Sequence, residues 1–119
     1  MSGNINFNGW INDDGSENYK CRAWVNFNGT GTVAIRASGG VGSITDNGTG
    51  DYTVNLTTAM PDGNYSVTVM TGSNVNGGNS PSAFSGRYLA APTSSTFRIR
   101  TISTGGFGDS EEVFLSFFR

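Results

Sequence analysis

The chain reads as all-β, an antiparallel sandwich of about eight strands. Three observations predict it. Apolar residues recur at a period of two in stretch after stretch, Asn-Gly and Asp-Gly pairs fall between those stretches, and no window carries a helical period. Composition agrees: of 119 residues 18 are glycine and only 13% are charged, so amides and hydroxyls supply the polar surface. One domain with one modest core is what this length supports.

Residues 1–20 form a polar lead-in arm rich in Asn, Gly and Asp, with Phe7, Trp10, Ile11 and Tyr19 as isolated anchors. A short strand fits Ile5 to Trp10, and the aromatics are expected to pack on a neighbour. The sandwich follows at 21–119. Cys21, Ala23, Val25 and Phe27 share the first face, and Thr32 to Ser38 puts Val33, Ile35 and Ala37 together. Gly39-Gly40 ends that strand, and Ser43 to Asp46 supplies a weaker one. Tyr52, Val54 and Leu56 form the next stripe, then Tyr65, Val67, Val69 and Thr71. A strand at Phe84 to Ala90 precedes the stripe Phe97, Ile99 and Thr101, and Val113, Leu115 and Phe117 form the last. Asp109 to Glu112 fits one helical turn.

Turn chemistry agrees with this punctuation. Asn28-Gly29, Asn47-Gly48, Asn76-Gly77 and Asp62-Gly63 offer the positive φ of tight hairpins. Pro61 and Pro92 fall at strand boundaries. If each strand reverses direction, Asn28–Gly31, Asn47–Gly50, Thr71–Ala83 and Ser103–Ser110 share one end. The other end holds Gly39-Gly40, Thr58–Asn64 and Ala91–Ser95. The first end has the longest loops, which serve either as a binding surface or as permissive turns.

The faces opposite the core stripes carry Trp24, Met70, Tyr88, Phe114 and Phe118. A lone small domain would expose them, and the last strand is apolar on both sides. A second copy of the chain is the simplest cover, so these five residues are the expected oligomer interface.

Several chemistries are excluded or disfavoured. The chain has no histidine, which removes His-based nucleophile activation and the commonest transition-metal ligand. One cysteine permits no intrachain disulfide and no multi-thiolate zinc site, and Cys21 is expected to be a small buried hydrophobe. The net charge of −2 gives no footprint for nucleic acid or an anionic membrane, and no apolar run is long enough to cross a bilayer. Asn12 to Asn18 is oxygen-rich but lacks the distal Glu of an EF-hand, so it reads as a turn. The carboxylates Asp13, Asp14, Glu17, Asp46, Asp51, Asp109, Glu111 and Glu112 are dispersed, and solvated loop charges explain them better than a glycosidase pair. No catalysis and no cofactor is expected.

The segment CRAWVNFNGTGTVAIRASGGVGSITDNGTGDYTVNLTTAMPDGNYSV closely resembles the C-terminal tip module of bacteriophage and prophage tail-fibre proteins, over Cys21 to Val69 and more loosely in FRIRT and FLSFF. The resemblance implies a homotrimeric fibre tip on the virion, made in the bacterial cytoplasm without a signal peptide. Such a tip adheres to a host receptor, commonly a surface glycan and sometimes an outer-membrane protein. Val75 to Arg87 departs from the shared pattern, as a specificity loop would. Aromatic faces with amide and carboxylate groups hold sugars, which makes Asn47, Asn74, Asn76, Asn79, Phe107 and Asp109 the expected receptor contacts at the loop end. Tyr88 and Trp24 suit either role, with the interface favoured. The alternatives are a purely structural virion protein, such as a fibre cap or capsid decoration, and a small polysaccharide hydrolase.

Overall fold

A computed structural model describes residues 12–16, 19–72, 82–85, 89–103 and 106–119. These form eight strands of four residues or more and one two-residue strand, all paired antiparallel, with no helix among the described residues. The strands are β1 (Cys21–Asn28), β2 (Ala34–Gly39), β3 (Val41–Gly48), β4 (Asp51–Leu56), β5 (Ser66–Gly72), β6 (Ser82–Ser85), β7 (Thr96–Ser103), β8 (Gly106–Phe107) and β9 (Glu112–Phe118).

One sheet has the order β2-β1-β9-β5, the other β3-β4-β7-β6, with β8 continuing beside β7. Their inner faces share one core. Ala23, Val25 and Phe27 of β1 and Val113, Leu115 and Phe117 of β9 meet Tyr52, Val54 and Leu56 of β4 and Phe97 and Ile99 of β7. The period-two stripes are therefore the core. Aromatic edges lock both ends of it: Phe27 meets Tyr52 at 5.3 Å between centroids, and Phe97 meets Phe117 at 5.8 Å.

Five expectations fail locally. The register of β1 against β9 slips between Cys21 and Ala23, so Arg22 is an extra residue and Cys21 pairs with Phe118. Cys21 is accordingly exposed, not buried. A second bulge at Arg36 in β2 brings Ala34 and Ala37 onto one side, which leaves Ala37 exposed while Val33 and Ile35 pack on the core. Val69 lies opposite Leu115 but stays 38% exposed, because β5 is an edge strand. Asp109 to Glu112 makes a bend into β9, not a helical turn. The strand expected at Phe84 to Ala90 is offset to Ser82–Ser85, and residues 86–88 lie outside the described residues.

The two loop ends are set apart as strand reversal requires. At one end Gly29 N–H donates to Ser110 O at 2.8 Å and Thr101 N–H to Gly50 O at 2.9 Å. At the other, Thr57 N–H donates to Gly40 O at 2.9 Å and Met60 N–H to Ser94 O at 2.6 Å. Here Arg119 grips Asp62 through two nitrogens at 3.1 and 3.0 Å and holds its carboxyl down at about 2. Arg22 Nε donates to the Arg119 carbonyl at 2.6 Å, which fastens β9 beside the bulge.

Candidate functional site

The loop end is tied around one buried phenol. Tyr52, from β4, is fully buried, and its hydroxyl oxygen lies 2.8 Å from Gly29 O and 2.7 Å from Asp109 Oδ1. Asp109 Oδ1 also accepts the Gly50 N–H at 2.8 Å. Three loops thus meet on two side chains. Burial first, then the bond to Asp109 and its charge, push the Tyr52 phenol well above the ordinary tyrosine range. Thr101 adds a fourth tie, its hydroxyl donating to Gly108 O at 2.6 Å.

Glycine is needed here for two different reasons. Gly29 has ordinary φ, but a Cβ would stand 2.5 Å from the Tyr52 hydroxyl and 2.8 Å from Ser110 O. Gly50 has φ of +63° and sits against the Thr101 carbonyl. Asn28-Gly29 is therefore not the positive-φ hairpin its sequence suggests, and no described non-glycine residue has positive φ. Asn28 instead accepts from the Thr30 N–H and hydroxyl, at 2.9 and 2.7 Å.

The outer face of the second sheet adjoins this end and is polar along β3, β4 and the Arg98–Arg100 stretch of β7, with Ile102 and Phe107 as apolar neighbours. Asn47 is the extra residue of a bulge between Asp46 and Gly48. Its amide reaches Thr53 Oγ1 at 2.8 Å and Asp51 Oδ1 at 3.4 Å. Asp51 is 7% exposed and clasped by Arg98, Nε to Oδ1 at 2.8 Å and Nη2 to Oδ2 at 2.6 Å. Those bonds, against the cost of burial and with the charges of Arg98 and Arg100 added, hold its carboxyl below the usual carboxylate range. Arg100 lies 3.7 Å from Asp51 Oδ2 and 3.8 Å above the Phe107 ring centroid.

The first sheet presents the opposite chemistry. On its outer side the register sets Phe114 between Asn26 and Met70, and Ser116 between Trp24 and Thr68. Met70 is 67% exposed, and Trp24 and Phe118 are exposed as well. A shallow depression of about 290 Å³ opens between Thr68, Val69, Met70, Phe114 and Ser116.

Of the residues expected to contact a receptor, Asn47 and Phe107 lie on the second sheet's outer side, Asn47 bonded to Thr53 and Asp51 and Phe107 under Arg100. Asp109 turns a carboxylate oxygen toward Tyr52 and Gly50, so its described bonds are those of a brace. Asn74, Asn76 and Asn79 lie outside the described residues. Of the expected interface residues, Trp24, Met70, Phe114 and Phe118 share the first sheet's outer face, and Tyr88 lies outside the described residues. Sequence reading took Asp51 for a solvated loop charge, whereas it is a buried strand residue paired with Arg98, and it missed Arg98 and the hydroxyls of Thr45 and Thr53. The Arg98-x-Arg100 spacing was the available signal, since a strand puts i and i+2 on one face. The oxygen-rich Asn12–Ser16 segment is a closed turn, with Gly15 N–H donating to Asn12 O at 2.9 Å and Ser16 N–H to Asp14 Oδ1 at 2.9 Å. Among the described residues no cluster of three or more potential metal ligands occurs.

Compared with protein-family models, curated proteins and solved structures, the chain matches none.

Proposed function

We propose that this chain is the tip of a trimeric phage tail fibre and adheres to a glycan on the bacterial surface. The observation that carries this reading is the unlike chemistry of the two outer faces. One is apolar around Met70 and Phe114, suited to burial against copies of itself; the other is an amide, hydroxyl and guanidinium surface suited to a solvated ligand. The sequence resemblance over Cys21 to Val69 supplies the virion setting. Trimerisation repeats each weak contact three times, and avidity then exceeds a single site without new chemistry. Burial of Tyr52 and the bonds that it and Asp109 make to three loops favour a rigid loop end, which lowers the ordering cost of binding. The reading includes no catalysis. Asp51 is engaged by Arg98, and Asp109 by Tyr52 and Gly50, so neither is set up as a glycosidase acid or base.

Adsorption of the purified chain to bacterial strains with defined surface polysaccharides tests the reading. Binding to a subset of strains, lost when that polysaccharide is genetically removed, is expected. Binding that survives polysaccharide removal but not protease treatment would point to a protein receptor. Absence of binding to every strain would leave the purely structural virion role, which the apolar face alone would serve.

A further inference from the structure

We infer that the outer face of the second sheet is itself the saccharide-binding surface, and that it takes an acidic oligosaccharide laid along β3 and β4. This rests on the adhesion reading and moves its site from the loop tips to the sheet.

Two asparagines organise the face in the same way. Asn55 Nδ2 donates to Ser43 Oγ at 3.1 Å and Thr45 Oγ1 at 2.9 Å. Asn47 Nδ2 donates to Thr53 Oγ1 at 2.8 Å and Asp51 Oδ1 at 3.4 Å. A carboxylate only accepts, so the Asn47 atom facing Asp51 is the nitrogen and its carbonyl oxygen is the other amide atom. In each case both amide protons are spent within the sheet. What remains is one carbonyl acceptor per asparagine and one donor proton on each of Ser43, Thr45 and Thr53. A row that mixes acceptors and donors matches sugar hydroxyls, each of which both gives and takes a hydrogen bond. From Ser43 to Asn47 the row runs about 13 Å at roughly 3.3 Å per residue, the reach of an oligosaccharide rather than a single sugar.

Charge sets the ligand class. Two guanidiniums surround one carboxylate, so the Asp51, Arg98 and Arg100 group carries a net positive charge. Arg98 gives its fork to Asp51. Arg100 directs only Nε inward, toward Gly50 O at 3.4 Å, and is held over Phe107. Among the described residues its two terminal nitrogens have no hydrogen-bond partner, and that pair is the geometry that grips a carboxylate. The loop end, by contrast, spends its polar groups on one another through Tyr52, Asp109 and Gly50.

The test is binding of the full chain to immobilised bacterial oligosaccharides in carboxylated, phosphorylated and neutral sets, with whole-cell adsorption run in parallel. Wild type is expected to prefer carboxylated glycans at least tenfold. Asn47→Ala with Asn55→Ala should cut that binding tenfold or more, and Arg100→Gln should erase the preference for the carboxylate while Arg100→Lys retains part of it. Thermal melts check each fold, and Thr45→Val with Thr53→Val replaces the double alanine variant if that one unfolds. Binding unchanged by these variants but abolished by Asn74→Ala, Asn76→Ala and Asn79→Ala together overturns the inference and leaves adhesion standing. So does preference for neutral or phosphorylated sets, or cell binding without any glycan binding. Absence of both glycan and cell binding overturns the inference and the adhesion reading together.

Discussion

The indole of Trp24 lies across Gly39 on the neighbouring strand, so close that a Cβ at Gly39 would stand 2.5 Å from Nε1 and 3.1 Å from Cδ1. The bare backbone of a glycine in a strand is shielded by the aromatic opposite it. Trp24 therefore has an intrachain role as well as 44% of its surface exposed.

Gly39→Ala should displace the indole rather than unfold the sheet, because the partly exposed ring is the partner that can move. In a Trp10→Phe background, tryptophan emission should shift to the red with a stability change within about 1 kcal/mol. Trp24→Ala should cost about 1 kcal/mol, since it uncovers Gly39. An unshifted emission spectrum in the Gly39→Ala variant would show that the ring does not rest there.

Tyr52→Phe removes the hydroxyl that joins Gly29 and Asp109. It leaves a buried carbonyl without that donor, and a loss of about 1–3 kcal/mol in urea unfolding is expected. The tyrosine also sets an alkaline limit. Its folded pKa lies above the ordinary value of 10.0, and burial pushes Tyr65 up to about 12. A raised pKa means stability that is complete below pH 10 and declines as pH climbs toward the folded values, because only the unfolded phenol gives up its proton there. The urea midpoint should fall above pH 10, and less steeply in Tyr52→Phe. A midpoint flat to pH 12 would contradict this.

Asp51 acts at the other extreme. Its folded pKa lies below the ordinary value of 3.8, so its contribution is present above that pH and is lost as pH falls through the folded value. Arg98→Gln strands the carboxylate with Arg100 as its remaining cation and should lower the urea midpoint at neutral pH. The loss should shrink toward pH 2 in urea titrations. An Arg98→Gln variant as stable as wild type at pH 7 would show the pair to be inert.

Much of this was legible in the sequence, for a physical reason. A strand buried on one face must alternate, so Tyr52-x-Val54-x-Leu56 and Val113-x-Leu115-x-Phe117 announced the core directly. The separation of the loop ends followed from strand reversal alone. Bulges were not legible: the extra residues Arg22 and Arg36 obey no composition rule, yet they expose Cys21 and Ala37. Nor was the brace around Tyr52, whose alternation marks it as core while its hydroxyl partners lie 23 and 57 residues away. Asn28-Gly29 carried a turn signal for the wrong cause, as its glycine answers to the approach of Tyr52. The grouping of Asn47, Asp51 and Arg98 needed the cross-strand register, which no local pattern states.

Met70→Glu, on the edge strand beside Phe114 in the apolar outer face, should leave the melting of the isolated domain nearly unchanged and weaken self-association. Glu adds a charge that contact between copies would have to desolvate. Sedimentation velocity reads this as a shift to the smaller species; an unshifted distribution would place the contact elsewhere.

Light scattering of the wild-type chain at micromolar concentration tests the central claim most directly. Three copies joined through the first sheet's outer face predict about three times the 12.5 kDa chain mass. A species of 12.5 kDa across the concentration range would contradict it.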